Sequence, residues 1–240
     1  MVTNLVLIPG LDGSHVLFGP LLAALPPEIR PLVVPLPESG PNDYGTLTRY
    51  VRERIAGLVD PVILAWSFAG PIGVRLAAEP SVGARALILA ASFISNPHPW
   101  FGPLRPIASP WLFAAYPFAA RAKAILGRHG NEEFRQLLKQ AMSTLTGRVL
   151  TDRVRALLAV DETQTIAGLR LPILDLRSGS DWVVPPHNAR TLARACPHAV
   201  TKVLDGPHAA LATHSVAAVA AIVAFLRESA APSSAPDRLE

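Results

Sequence analysis

The sequence predicts an α/β domain, an open and mainly parallel sheet of about six strands with helices on both faces. Three observations lead there. Short apolar runs alternate with stretches of helical periodicity. Several of those runs are apolar throughout, as parallel strands covered on both faces must be. Finally, 240 residues, half of them hydrophobic and 17% charged, can bury a core of that size. The same composition excludes a disordered or fibrous chain.

In chain order, the expected strands are Leu5–Ile8, Leu32–Leu36, Val62–Trp66, Ala86–Ala91, Ile173–Leu176 and Val200–Leu204. Between and after them the spacing predicts helices over Val16–Leu25, Tyr44–Leu58, Phe68–Glu79, Pro186–Ala195 and Ala209–Arg227. The alternation fails once. Residues 95–170 hold an aromatic, Pro-rich stretch and two amphipathic helices, Asn131–Gln140 and Thr151–Val160, with no convincing strand. We read 1–94 and 171–228 as one core, 95–170 as a helical lid inserted after the fourth strand, and the polar, Pro-rich 229–240 as a flexible tail.

The formal charge is +4, and arginine supplies 19 of the 22 basic residues without clustering in a nucleic-acid-binding motif. No nucleic-acid partner is therefore expected. A lone cysteine, Cys196, rules out an internal disulfide framework and fits a reducing compartment. The first apolar run is too short for a signal segment and ends at Pro9-Gly10. Six prolines interrupt the weakly charged stretch 86–120, so no membrane span is expected. Together these point to a soluble cytoplasmic protein. The histidines show no metal-ligand spacing, and the turn Pro9–Gly13 lacks the dinucleotide G-x-G-x-x-G pattern, so neither metal nor cofactor is assigned.

The strongest local signal is Val62-Ile63-Leu64-Ala65-Trp66-Ser67-Phe68-Ala69-Gly70, a buried strand running into a serine and then a helix. Small residues two positions either side of Ser67 allow the sharp strand-to-helix turn that exposes a nucleophilic hydroxyl. A helix N-cap is the bland alternative. A serine needs a base, and the base an orienting acid. His208 follows the last strand in Asp205-Gly206-Pro207-His208, and Asp181 follows the fifth in Gly179-Ser180-Asp181-Trp182. Singly, each reads as an ordinary loop residue. Jointly they come in the order Ser, Asp, His, each after a different strand.

Over residues 4–228 the chain thus resembles an α/β-hydrolase fold enzyme. The matching motifs are Ile8-Pro9-Gly10-Leu11-Asp12-Gly13, Trp66-Ser67-Phe68-Ala69-Gly70, Gly179-Ser180-Asp181-Trp182-Val183-Val184-Pro185 and Gly206-Pro207-His208. It is similar to the small carboxylesterases typified by pimeloyl-acyl-carrier-protein methyl ester carboxylesterase. The resemblance implies a catalytic Ser67, Asp181 and His208, with an oxyanion hole from the backbone N–H groups of Leu11 and Phe68. Departures are Pro9 where a histidine is usual, and alanine for both elbow glycines. Some family thioesterases carry the acid after the fourth strand; Ala91–Asn96 offers no carboxylate, which leaves Asp181.

Seven of the fifteen aromatics fall in residues 93–118, and residues 95–170 carry ten basic side chains against five acidic ones. Aromatics above the strand ends suit an apolar acyl pocket, for which we name Trp66, Trp100, Trp111, Phe113 and Trp182. The expected activity is cleavage of carboxylic esters of short to medium acyl chains through an acyl-enzyme. An acyl-carrier-linked methyl ester esterase or thioesterase, with an acidic acyl-carrier protein docking on the basic lid, is the alternative. A non-catalytic binding protein is the remote one.

Overall fold

The structure, a computed structural model, describes residues 2–101 and 118–230. The strands are β1 (Thr3–Ile8), β2 (Ile29–Val33), β3 (Val62–Trp66), β4 (Ala86–Ala90), β5 (Ile173–Ser178) and β6 (Val200–Leu204). They form one sheet in the order β2-β1-β3-β4-β5-β6, and every pairing is parallel. Helices α1 (Gly19–Ala24), α2 (Tyr44–Ile55) and α3 (Gly70–Ala78) link the first four strands. Between β4 and β5 the described chain forms α4 (Phe118–Leu126), α5 (Glu132–Ala141), α6 (Gly147–Leu157) and α7 (Thr163–Gly168). The chain closes with α8 (His187–Ala195) before β6, then α9 (Ala210–Thr213) and α10 (Ser215–Ala230).

The continuously apolar strands have the cause their sequence suggests. Leu5, Leu7, Val62, Leu64 and Trp66 face one core with α1 and α10, while Val6, Ile8, Ile63 and Ala65 face another with α2 and α3. Alternate residues of each strand are therefore buried on opposite faces. Each such Leu or Ile contributes about 1.5–3 kcal/mol relative to exposure. Side-chain caps start several helices: Asp43, Asn131 and Thr146 accept the N–H groups of Thr46, Phe134 and Val149.

Some boundaries differ from expectation. The second strand lies at Ile29–Val33 instead of Leu32–Leu36. It is an edge strand with Arg30, Pro31 and Leu32 exposed, so its pairing did not require an apolar run. The apolar run beyond it is buried as loop, with the Val34 N–H bonded to the Leu7 carbonyl. The expected Ala209–Arg227 helix is two helices parted at His214, and α6 begins four residues before Thr151 because Thr146 caps it. Helices α4 and α7 lacked a clear sequence signal. No helix among the described residues is long and apolar enough to cross a membrane. Most of the expected tail, 231–240, lies outside the described residues.

The strand order positions the site. From β1 the chain goes outward to β2 and then returns to the other side at β3. The loops after β1 and β3 therefore diverge above the sheet, the crevice where open α/β sheets bind ligands.

Candidate active site

Ser67 sits directly after β3 with φ of +52°, in the left-handed region. A non-glycine residue there stores about 1 kcal/mol or more of strain and needs support. That support comes from both elbow carbonyls. The Ser92 hydroxyl donates to the Ser67 carbonyl at 2.6 Å, and the Tyr44 hydroxyl donates to the Phe68 carbonyl at 2.9 Å. Tyr44 also stacks on the Phe68 ring, with centroids 4.8 Å apart. Close packing explains the small residues of the motif. A Cβ on Gly73 would lie 2.6 Å from the Ala65 Cβ, and one on Gly70 would collide with Ser92 and Phe93.

His208 follows β6 on a loop pinned from above, since the Ala209 N–H donates to the Ile125 carbonyl of α4 at 3.0 Å. The imidazole links both partners: Nε2 lies 2.8 Å from Ser67 Oγ, and Nδ1 lies 2.8 Å from Asp181 Oδ2. The other Asp181 oxygen accepts the N–H groups of Val183 and Val184 at 2.8 and 2.9 Å. Ser67, His208 and Asp181 are thus a continuous hydrogen-bonded chain drawn from the ends of three strands. In this arrangement the ring can take the hydroxyl proton while the carboxylate balances the charge it acquires.

Burial pushes the Asp181 carboxyl up, but the His208 ring and the Val184 and Val183 N–H groups outweigh that, leaving its pKa below the ordinary 3.8. A carboxyl depressed on folding stabilises the native state above its unfolded pKa, and that contribution is lost as pH falls through the folded value. In urea unfolding, Asp181→Asn should therefore be less stable than the parent near pH 6. The difference should shrink as pH drops below 3.8; a gap independent of pH would contradict the assignment.

The loop after β1 runs alongside. A Cβ on Gly10 would sit 3.5 Å from the Ser67 Cβ, so this backbone passes close to the hydroxyl. The loop closes on itself through the Gly13 N–H to the Gly10 carbonyl. The Leu11 N–H makes no hydrogen bond among the described residues. Phe68 is the second residue of a 3₁₀ turn, Ser67–Ala69, that leads into α3. Such leading N–H groups favour negative charge.

Around Ser67 and His208 lies a cleft of about 70 Å³, lined by Leu11, Leu17, Trp66, Ile125, Leu138 and Met142 among others. Its outer wall is thus built from α4, α5 and the turn after α5. A larger cleft of about 330 Å³ lies behind Asp181, beside Asp175 and Arg177, and excludes both Ser67 and His208. Trp66 lines the small cleft; its buried indole N–H has no partner among the described residues. Trp100 and Trp182 do not line it. They are 58% and 70% exposed, and Trp100 packs against Phe101 and His187 instead. Asp181 turns inward to take two backbone N–H groups, and its neighbour Trp182 is left facing solvent. Trp111 and Phe113 lie outside the described residues.

Sequence reasoning missed three neighbours, Ser92, Tyr44 and Arg153. Asp12 lines the cleft, accepts from Ser14 N–H and Oγ at 2.9 and 2.6 Å, and is pushed up by burial despite those bonds. Arg153 is among the largest fully buried side chains, at 1% exposure. Ser92 alone had a usable signal, since it follows a strand end as Ser67 does. Cys196 is buried, at 1% exposure.

The chain matches the alpha/beta hydrolase family over residues 5–222. It belongs to that family. Similar solved structures share the fold. A thermophilic esterase from Thermogutta terrifontis aligns with a TM-score of 0.80 at 16% identity, covering 94% of this chain and 90% of that one. A bromoperoxidase from Bacillus anthracis gives 0.79 at 18% identity, covering 95% and 92%. An enol-lactonase from Burkholderia xenovorans LB400 gives 0.77 at 20% identity, again covering 95% and 92%. A curated relative, the polyketide synthase ThaQ of Burkholderia thailandensis, is 26% identical over 94% of this chain. The chain spans only 12% of that relative's length.

Proposed function

We propose that this alpha/beta hydrolase is a serine carboxylesterase acting on short to medium acyl chains. The observation that carries the reading is the unbroken Ser67–His208–Asp181 chain, with Ser67 held in a left-handed backbone at the cleft. Ser67 Oγ attacks the ester carbonyl as His208 Nε2 takes its proton. The oxyanion is held by the Leu11 and Phe68 N–H groups. Collapse of the tetrahedral adduct expels the alcohol, which receives the proton from His208 and leaves an acyl-enzyme. Water, deprotonated by the same nitrogen, then releases the acid and restores Ser67. Apart from the ester and this water, these steps use side chains and backbone of this chain.

The apolar lining from Leu17, Ile125, Leu138 and Met142 favours an alkyl chain over a charged substrate. In this reading the segment between β4 and β5 is the lid of the site. A panel of p-nitrophenyl esters from acetate to dodecanoate, run beside matching thioesters, tests it. We expect kcat/KM to peak among the short to medium esters and fall at dodecanoate. No turnover above buffer across the panel would contradict the reading.

A second reading is favoured by the similarity to part of a polyketide synthase: an acyl ester or thioester delivered by an acidic acyl-carrier protein. Lys139 on α5 and Arg148 on α6 are exposed cations beside the cleft-lining Leu138, Met142 and Leu145. Arg153, counted among the basic side chains of this segment, is buried and unavailable for docking. Reversing Lys139 and Arg148 should raise KM for a carrier-bound acyl group and leave that for a free ester unchanged. Equal effects on both would exclude carrier docking there.

A further inference from the structure

We propose that Arg153, on α6 of the segment between β4 and β5, is a positioning residue that holds the loop after β1 so that the Leu11 N–H stays aimed at the developing oxyanion. The proposal rests on the esterase reading above and adds to it a part for a buried cation remote in sequence.

The guanidinium spends its donors on the loops at the carboxyl ends of β1 and β2. Nη1 donates to the Leu11 carbonyl at 2.7 Å, Nη2 to the Pro37 carbonyl at 3.0 Å, and Nε to Asn42 Oδ1 at 2.9 Å. These acceptors lie 142, 116 and 111 residues away in sequence. The loop wraps around the charge. A Cβ on Gly13 would come within 2.5 Å of Nη1 and 2.8 Å of Nη2, and Gly13 itself has φ of +76°. Burial lowers the Arg153 pKa to about 10, Asp12 and Glu38 opposing, so the group remains a cation at neutral pH.

Packing alone does not call for this residue. A buried cation carries a desolvation cost, and an apolar side chain of similar volume would fill the space without it. What arginine supplies is a rigid fork of donors for two backbone carbonyls and an amide. The Leu36 N–H pins the same loop through the Gly13 carbonyl at 2.8 Å. Fixing the Leu11 and Gly13 carbonyls determines the orientation of the turn and, with it, the Leu11 N–H. The segment between β4 and β5 therefore acts on the chemistry through α6 as well as on the substrate through α4 and α5.

The test compares the parent with Arg153→Met and Arg153→Lys on a p-nitrophenyl ester. It also measures inhibition by an alkyl boronic acid, which forms a tetrahedral adduct on the serine, and by the product carboxylate. We expect Arg153→Met to lower kcat about ten- to hundredfold with KM within threefold, a loss somewhat smaller than removal of a whole oxyanion donor. Boronate affinity should fall in parallel, product affinity should stay within threefold, and Arg153→Lys should recover part of both losses. A purely structural role would lower the melting temperature and leave kcat per folded molecule and boronate affinity unchanged, which overturns the proposal. Should Arg153→Met not fold, Asn42→Ala removes one bond and Gly13→Ala pushes a methyl into the guanidinium. The same split between kcat and KM in these supports the proposal, and unchanged kcat in both overturns it. Loss of turnover in Ser67→Ala is the control that separates this result from failure of the esterase reading.

Discussion

Ser67→Ala is expected to lower kcat/KM toward a p-nitrophenyl ester by about 10⁴–10⁶-fold, the range seen when a catalytic serine is removed. That corresponds to about 5–8 kcal/mol of transition-state stabilisation. The variant removes the hydroxyl oxygen that lies 2.8 Å from His208 Nε2 at the cleft. Stability should move the other way or hardly at all. Alanine is compatible with the space, and the carbonyl contacts from Ser92 and Tyr44 are to backbone and persist. Steady-state kinetics beside thermal unfolding checks both halves. Activity within tenfold of the parent would remove Ser67 from the chemistry.

Asp181→Asn is expected to cost about 10⁴-fold in kcat per folded molecule while leaving KM nearly unchanged, as loss of the correct imidazole tautomer does elsewhere. The reason lies in how the carboxylate is held. One oxygen already accepts two backbone N–H groups, from Val183 and Val184. An asparagine keeps its oxygen there and turns its NH₂ toward His208 Nδ1. That nitrogen must then become an acceptor, so the ring proton moves to Nε2 and Ser67 loses its base. Burst kinetics would show slowed acylation. A loss of less than tenfold would mean that Asp181 does not set the tautomer.

Much of this was legible in the sequence, for local reasons. A strand buried on both faces must be apolar at every position, so β3 and β4 are evident from residue type alone. Ser67 stands out because it follows such a run, and Asp181 and His208 because each follows another strand candidate, β5 and the more exposed β6, whose ends converge at one edge of a parallel sheet. What was not legible depends on pairings with no local pattern. The edge strand β2 is set by its register on β1, not by its own hydrophobicity. Arg153 looked like one more surface cation among the basic side chains of its segment. Its partners are mostly backbone carbonyls, and these leave no mark on a sequence. Trp182, named for the acyl pocket, is exposed beside the turn that seats Asp181, and that orientation is set by backbone bonds with no local sequence pattern.

The central claim is that Ser67 is a nucleophile activated through His208, and covalent labelling tests it most directly. A fluorophosphonate reacts with an activated serine and forms a stable adduct through the same Oγ attack, with fluoride as leaving group. Intact-mass measurement followed by peptide mapping should find one adduct per chain, on Ser67. The labelling rate should fall by orders of magnitude in His208→Gln and vanish in Ser67→Ala. An unlabelled native protein, or an adduct on any residue other than Ser67, would contradict the account.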